Sequence, residues 1–178
     1  TLVFEADGSI EADNTDAEGF LRALRDACPG WSPGQQPVVV LGAGGAARAV
    51  VVALQEAGVT GIRLVNRNPA RARALADDLG PGIEPLQWPD AEAALKESCL
   101  LVNTTSLGMR GQPSLDLALD RLSPAAPVAD IVYVPLMTPL LRRAAERGHP
   151  VVDGLARRFT LTRPCVRRCS PGFGNEPR

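Results

Sequence analysis

Short aliphatic runs alternate with segments of helical period along most of this chain. Runs at 38–41, 62–66, 83–86, 100–103, 128–132 and 151–153 read as strands. Between them, apolar positions recurring every three to four residues predict helices over roughly 46–57, 69–79, 90–97 and 138–147. Asn68 ahead of Pro69 and Thr138 ahead of Pro139 mark two of the helix starts, because a side-chain acceptor serves the free amides of the first turn and proline suits the first helical position. Strands alternating with helices predict an α/β fold, a doubly wound parallel sheet with helices on both faces. Upstream, Thr1 to Phe4 reads as a strand and Asp7-Gly8 as a turn. An amphipathic helix is expected over residues 17–27, with Phe20, Leu21, Leu24 and Ala27 on one face. A Pro/Gly linker at 29–37 divides this opening, residues 1–30, from a main domain at 31–155.

The first run of the main domain breaks into Gly42-Ala43-Gly44-Gly45-Ala46-Ala47 and then into a helix. Gly42 suits a tight turn off the strand, Gly44 lets backbone amides approach a phosphate, and small Ala47 lets the helix pack on the sheet. A helix N-terminus then faces the anion, so the fold is expected to be Rossmann-like. A plain strand-turn-helix corner is the alternative. At the end of the second strand of this unit, where an NAD-binding version carries an acid about 20 residues after the glycines, stand Asn66 and Arg67. A carboxylate there repels a 2′-phosphate, whereas a guanidinium grips it in a fork; Arg71 reaches the same side from the next helix. The expected cofactor is NADP, unless both arginines are only solvated residues at a helix start.

Composition narrows the class further. The 178 residues are 45% hydrophobic and 22% charged, with a formal net charge of −1, which gives no footprint for nucleic acid or an anionic membrane. No apolar stretch approaches the length of a membrane span, so a cytoplasmic location is expected. Cys28, Cys99, Cys165 and Cys169 show no CxxC spacing and His149 is the single histidine, so structural thiols and no metal are expected. From Ala156 onward Arg157, Arg158, Arg163, Arg167, Arg168 and Arg178 accumulate with no acid before Glu176. A disordered or frame-shifted basic tail is expected over 156–178.

Six ordered segments together resemble the shikimate dehydrogenases: Asn-Thr-Asp at 14–16, the glycine block at 42–47, Asn-Arg-x-x-x-Arg at 66–71, Asn-Thr-Thr-Ser-Leu-Gly-Met at 103–109, Asp-Ile-Val-Tyr-x-Pro-x-x-Thr-Pro-Leu at 130–140, and Asp-Gly-Leu at 153–155. The resemblance implies reversible NADPH-dependent reduction of 3-dehydroshikimate to shikimate, in aromatic amino-acid biosynthesis. It implies that Asp16 is the substrate-binding acid working at the oxygen that changes between carbonyl and alcohol, where proton transfer must accompany the hydride. Tyr133 would touch substrate through its hydroxyl, Ile131 and Gly154 would line the nicotinamide, and Thr104 and Thr105 would lie near the cofactor. Read without the resemblance, Thr15 and Glu18 make a capping box that gives Asp16 a structural setting, and Tyr133 is an ordinary strand-end aromatic.

Members of that family carry a separate upstream substrate domain with a Ser-x-Ser motif, an asparagine and a catalytic lysine. None is found here, so an upstream segment is expected to be missing, residues 1–30 to be its remnant with the connecting helix, and the fragment to be inactive alone. Downstream, the family's Gly-Leu-Gly-Met and later glutamine are replaced by Gly154-Leu155-Ala156-Arg157 and Leu161. Two other readings stay open: a noncatalytic NADP(H)-binding module, which has no need of Asp16 and Tyr133, and a related enzyme such as a quinate dehydrogenase. The expected partner is a small-molecule substrate, with the chain a monomer or homodimer.

Overall fold

A computed structural model describes residues 2–4, 10–12 and 15–154, with side chains from residue 17 onward. Its centre is strand β3 (Val38–Leu41), and every residue of that strand is buried. A strand covered on both faces has to be aliphatic throughout, and a parallel sheet supplies that setting. Val38 pairs with Ile62 of β4 (Ile62–Asn66) on one side and with Leu100 of β6 (Leu100–Asn103) on the other. With β5 (Ile83–Gln87), β7 (Val128–Asp130) and β8 (Val151–Val152), these make a six-stranded sheet of order β5-β4-β3-β6-β7-β8, parallel at every pairing. A separate antiparallel pair, β1 (Leu2–Phe4) and β2 (Ile10–Ala12), precedes it.

Alternation along β3 divides the core in two. Val38 and Val40 pack with α1 (Thr15–Ala27), α2 (Gly45–Glu56) and α3 (Pro69–Leu79). Val39 and Leu41 pack on the opposite face with α4 (Ala91–Ala94), an extended segment and α5 (Pro139–Glu146). The doubly wound sheet with helices on both faces is therefore present. Both anticipated helix starts are also found: the Asn68 side chain accepts from the amides of Ala70 and Arg71, and the Thr138 side chain accepts from Leu141.

Several details differ from the sequence expectation. Ala27 is exposed, and the buried face of α1 runs through Phe20, Leu21, Ala23 and Leu24 to Cys28. The helix expected over 90–97 shrinks to a 3₁₀ turn, Trp88–Asp90, and the four residues of α4. Its later carbonyls are taken by other donors: Arg63 donates to Ala94 O (2.7 Å) and Lys96 O (2.8 Å), and the Ser98 hydroxyl donates to Ala94 O (2.9 Å). Strand β7 stops at Asp130 rather than at 132, because the Asp130 carboxylate accepts the Val132 amide at 3.0 Å and turns the chain. Between β6 and β7 no helix crosses the second face; Leu115, Leu117 and Leu119 point inward on alternate residues of an extended segment, held by Arg143 Nη2 on Leu115 O at 2.6 Å. The tail at 156–178, with Cys165 and Cys169, lies outside the described residues.

Candidate functional site

In a parallel sheet the loops after the strands gather at one edge, and the crevice falls where the strand order reverses. Here that point lies between β3 and β6. The end of β3 is clamped from both sides: Gly42 donates its amide to Val65 O (2.8 Å), while Thr104 donates its amide (2.9 Å) and its hydroxyl (2.6 Å) to Leu41 O. Gly42 has φ of +109°, and a Cβ there would come within 2.6 Å of Thr104 Oγ1. Thr104 is buried, its hydroxyl engaged with β3.

Beyond this clamp the surroundings open. Gly44 caps α2 without any side-chain hydrogen bond, and no acidic residue stands in the first turn. A Cβ at Gly44 or Gly45 would meet nothing within 4 Å. The first-turn amides, including those of Gly45 and Ala46, therefore face accessible space with no intrahelical acceptor, next to half-buried Ala43. Such a cradle suits a pyrophosphate.

At the end of β4 the turn is fixed locally. Asn66 Nδ2 donates to Asn68 O (2.9 Å), and Asn68 Oδ1 accepts from Ala70 (3.0 Å) and Arg71 (3.4 Å). Arg67 and Arg71 are exposed on this rigid corner, and neither has an ion-pair partner among the described residues. Arg48 on α2 contrasts with them, being paired with Asp78.

The loops after β6 and β7 are joined by a buried polar network that sequence reasoning did not single out. Asp130 is 2% exposed. Its Oδ1 accepts from Asn103 Nδ2 and from the Val132 amide, both at 3.0 Å, and its Oδ2 accepts from the Thr138 hydroxyl at 2.8 Å. Asn103 Oδ1 in turn accepts from the Thr105 amide (3.0 Å) and hydroxyl (2.7 Å), and Asn103 O accepts from the Ile131 amide (3.1 Å). The available signal was a polar residue closing an otherwise aliphatic strand, Asn103 in β6 and Asp130 in β7. Gly154 lies against this junction, where a Cβ would come within 2.5 Å of both Ile131 O and Val132 O.

Phe20 and Ala23 of α1 meet Ile131, Asp153 and Gly154 around a cavity of about 10 Å³. Asp16 sits one helical turn before Phe20 on α1, which brings its backbone towards the same edge; its side chain lies outside the described residues. Tyr133, 45% exposed, opens an exposed apolar run that continues through Val134, Leu136 and Met137. Around one edge, then, stand the glycine loop, the Arg67 corner, the Ile131–Gly154 junction, Tyr133 and the start of α1.

Burial pushes the Asp130 carboxyl from 3.8 up to about 6, against the opposing pull of hydrogen bonds from Val132, Thr138 and Asn103. Because the folded state favours the neutral acid, the contribution of this group to stability is complete below about pH 4 and is lost as the pH rises to about 6. Relative to Asp130→Asn, whose amide does not titrate, the wild-type unfolding free energy should fall by roughly 3 kcal/mol across that window. Denaturant melts of both proteins between pH 4 and 7 check this, and a difference that stays constant with pH contradicts it. The thiols of Cys28 and Cys99 are also raised by burial, as befits structural cysteines.

A sequence profile described as Shikimate / quinate 5-dehydrogenase matches residues 30–109. The shikimate dehydrogenase (NADP(+)) of Dinoroseobacter shibae is 56% identical over 155 residues, 87% of this chain and 56% of that protein. That of Paramagnetospirillum magneticum is 51% identical over 177 residues, 99% of this chain and 63% of its own length. This chain thus spans about three-fifths of the curated relatives it matches. Among solved structures, the Corynebacterium glutamicum quinate dehydrogenase in complex with NAD superposes with a TM-score of 0.84 at 29% identity, covering 94% of this chain and 60% of that one. The Thermus thermophilus shikimate 5-dehydrogenase in complex with NADP(H) and shikimate gives 0.76 at 36% identity, covering 93% and 59%. By fold, motif order and sequence identity, the chain belongs to the shikimate dehydrogenase family.

Proposed function

We propose that this chain is the NADP(H)-binding catalytic half of a shikimate dehydrogenase, acting in the reversible reduction of 3-dehydroshikimate to shikimate. The observation that carries the reading is the pairing of an uncapped glycine cradle with the exposed Arg67 beside it. Backbone amides of residues 44–46 would hold the pyrophosphate. Arg67, with Arg71 behind it, would grip the 2′-phosphate in a charge-assisted fork. Ile131 and Gly154 would present a small apolar surface to the nicotinamide. When bound, the cofactor supplies or accepts the hydride. Asp16 and Tyr133 would stand on the substrate side, Asp16 holding the proton at the oxygen that is reduced.

The same proposal divides the chain at residues 30 and 155, with 31–155 the cofactor domain and 1–30 the link towards a substrate domain. It places the protein in the cytoplasm as a monomer or homodimer; no described helix is long and apolar enough to cross a membrane. A quinate-type enzyme using NAD is the second reading, favoured by the TM-score of 0.84 with the NAD complex.

A chimera tests the proposal. The N-terminal part of the Dinoroseobacter shibae relative is joined ahead of Thr1, and shikimate oxidation is followed with each nicotinamide. Turnover with NADP⁺ at least about tenfold better in kcat/KM than with NAD⁺ is expected, since one gripped phosphate is worth that much or more. A chimera that folds and binds NADPH yet does not oxidise shikimate contradicts the shikimate dehydrogenase reading.

A further inference from the structure

The network at the crevice has a consequence for geometry at the reacting end of the site. Two loops leave adjacent strands there: residues 104–109 after β6 and 131–138 after β7. Backbone pairing between the strands ends at Asn103 and Asp130. Past that point the loops are tied by the Ile131 amide on Asn103 O, the Arg110 amide on Val134 O, and the side-chain pair Asn103–Asp130. Only the last is buried on both sides, with Asn103 at 0% and Asp130 at 2% exposure.

From the Asp130 carboxylate three arms extend. One runs through Asn103 to Thr105 and, by Thr105 Oγ1 accepting the Leu107 amide at 3.1 Å, into the β6 loop. The second takes the Val132 amide and so fixes the bend that carries Ile131 and Tyr133. The third takes the Thr138 hydroxyl, whose oxygen also accepts the Leu141 amide at the start of α5. The peptide carbonyls of Ile131 and Val132, set by the second arm, are the atoms against which Gly154 is packed.

We infer that Asp130 is a positioning residue: together with Asn103 and Thr138 it sets where the Ile131–Tyr133 bend stands, and hence how the nicotinamide end of the cofactor is held, with a smaller effect on the pyrophosphate cradle. The inference rests on the cofactor reading above. The two ends are held by different hydrogen bonds, since Gly42 donates to Val65 O and Thr104 to Leu41 O without involving Asp130, and they meet only where Thr105, bonded to Asn103, packs 3.2 Å from where a Gly42 Cβ would stand.

Asp130→Asn is a mild test. An amide oxygen in the place of Oδ1 still accepts from Asn103 and Val132, while the amide nitrogen faces Thr138 Oγ1, which then accepts instead of donating. Thr138→Val removes the third arm together with the cap on α5, and Thr138→Ser restores both. Each variant of the whole chain is titrated with NADPH and with 2′-phospho-ADP-ribose, the same ligand without its nicotinamide.

The expected result is NADPH affinity about fivefold weaker in Asp130→Asn and Thr138→Val, the scale of one misplaced hydrogen-bonded element, with the fragment changed less than about twofold and Thr138→Ser near wild type. Equal losses for both ligands overturn the inference, since a merely structural residue loosens the whole domain. Unchanged NADPH affinity overturns it too. Failure of the wild-type chain to bind either ligand refutes the cofactor reading itself, a distinct outcome. Should Asp130→Asn fail to fold, the Thr138 pair carries the same comparison.

Discussion

Arg67→Asp lowers the affinity for NADPH about a hundredfold and leaves that for NADH within a few-fold, because a charge-assisted fork to the 2′-phosphate is replaced by a like charge. The corner that carries Arg67 is held by its own hydrogen bonds, Asn66 Nδ2 on Asn68 O and the Ala70 and Arg71 amides on Asn68 Oδ1. None of them uses the Arg67 side chain, so the substitution alters charge without altering the turn. Arg67 is exposed, and the protein should melt at an unchanged temperature. Fluorescence titrations with both dinucleotides read the effect. Equal weakening of NADPH and NADH contradicts the 2′-phosphate role and leaves Arg67 as a solvated residue at a helix start.

Gly42→Ala damages the fold, and Gly44→Ala damages only the cradle. At Gly42 an alanine has to adopt φ of +109° and place its methyl 2.6 Å from Thr104 Oγ1, the atom that donates to Leu41 O. Strain in that region costs about 1–3 kcal/mol and crowding a similar amount, so a loss of roughly 2–6 kcal/mol is expected. In a domain of this size that lowers Tm by about 5–15 °C, and NADPH binding goes with it. Gly44, by contrast, has φ −104° and ψ −169°, extended values open to any residue, and its added methyl meets no protein atom within 4 Å. Stability should change by less than about 1 kcal/mol there, while the methyl occupies the space where a phosphate would approach. Thermal melts with and without NADPH separate the two. A Gly44→Ala protein that binds NADPH as the wild type does contradicts the placement of the pyrophosphate.

What could be read from the chain beforehand was whatever local chemistry determines. The unbroken aliphatic run at Val38–Leu41 demanded a strand covered on both faces, and the structure buries all four residues. Asn68-Pro69 and Thr138-Pro139 marked helix starts that do carry side-chain caps. The glycine loop and the Arg67 corner were also legible, being built from neighbouring residues. What escaped depended on partners far along the chain. Arg63 reaches carbonyls more than thirty residues away and ends α4 early, and nothing within 90–97 announces it. Asn103 and Asp130 are 27 residues apart and only together make a network. The bond of the Thr104 hydroxyl to Leu41 O, 63 residues back, which makes the β3 clamp, likewise had no local signal. Leu115, Leu117 and Leu119 showed the strand-like alternation plainly, yet they line the core from a segment that pairs with no strand of the sheet.

The most direct test of the central claim is a fluorescence titration of this chain with NADPH beside NADH, because it depends on the cradle and on Arg67, both present in the described structure. Saturable binding at least about tenfold tighter for NADPH, the least that one gripped phosphate should contribute, is the predicted result. Equal affinity for the two contradicts the assignment of Arg67, and no binding of either contradicts the account of the glycine loop as a dinucleotide cradle.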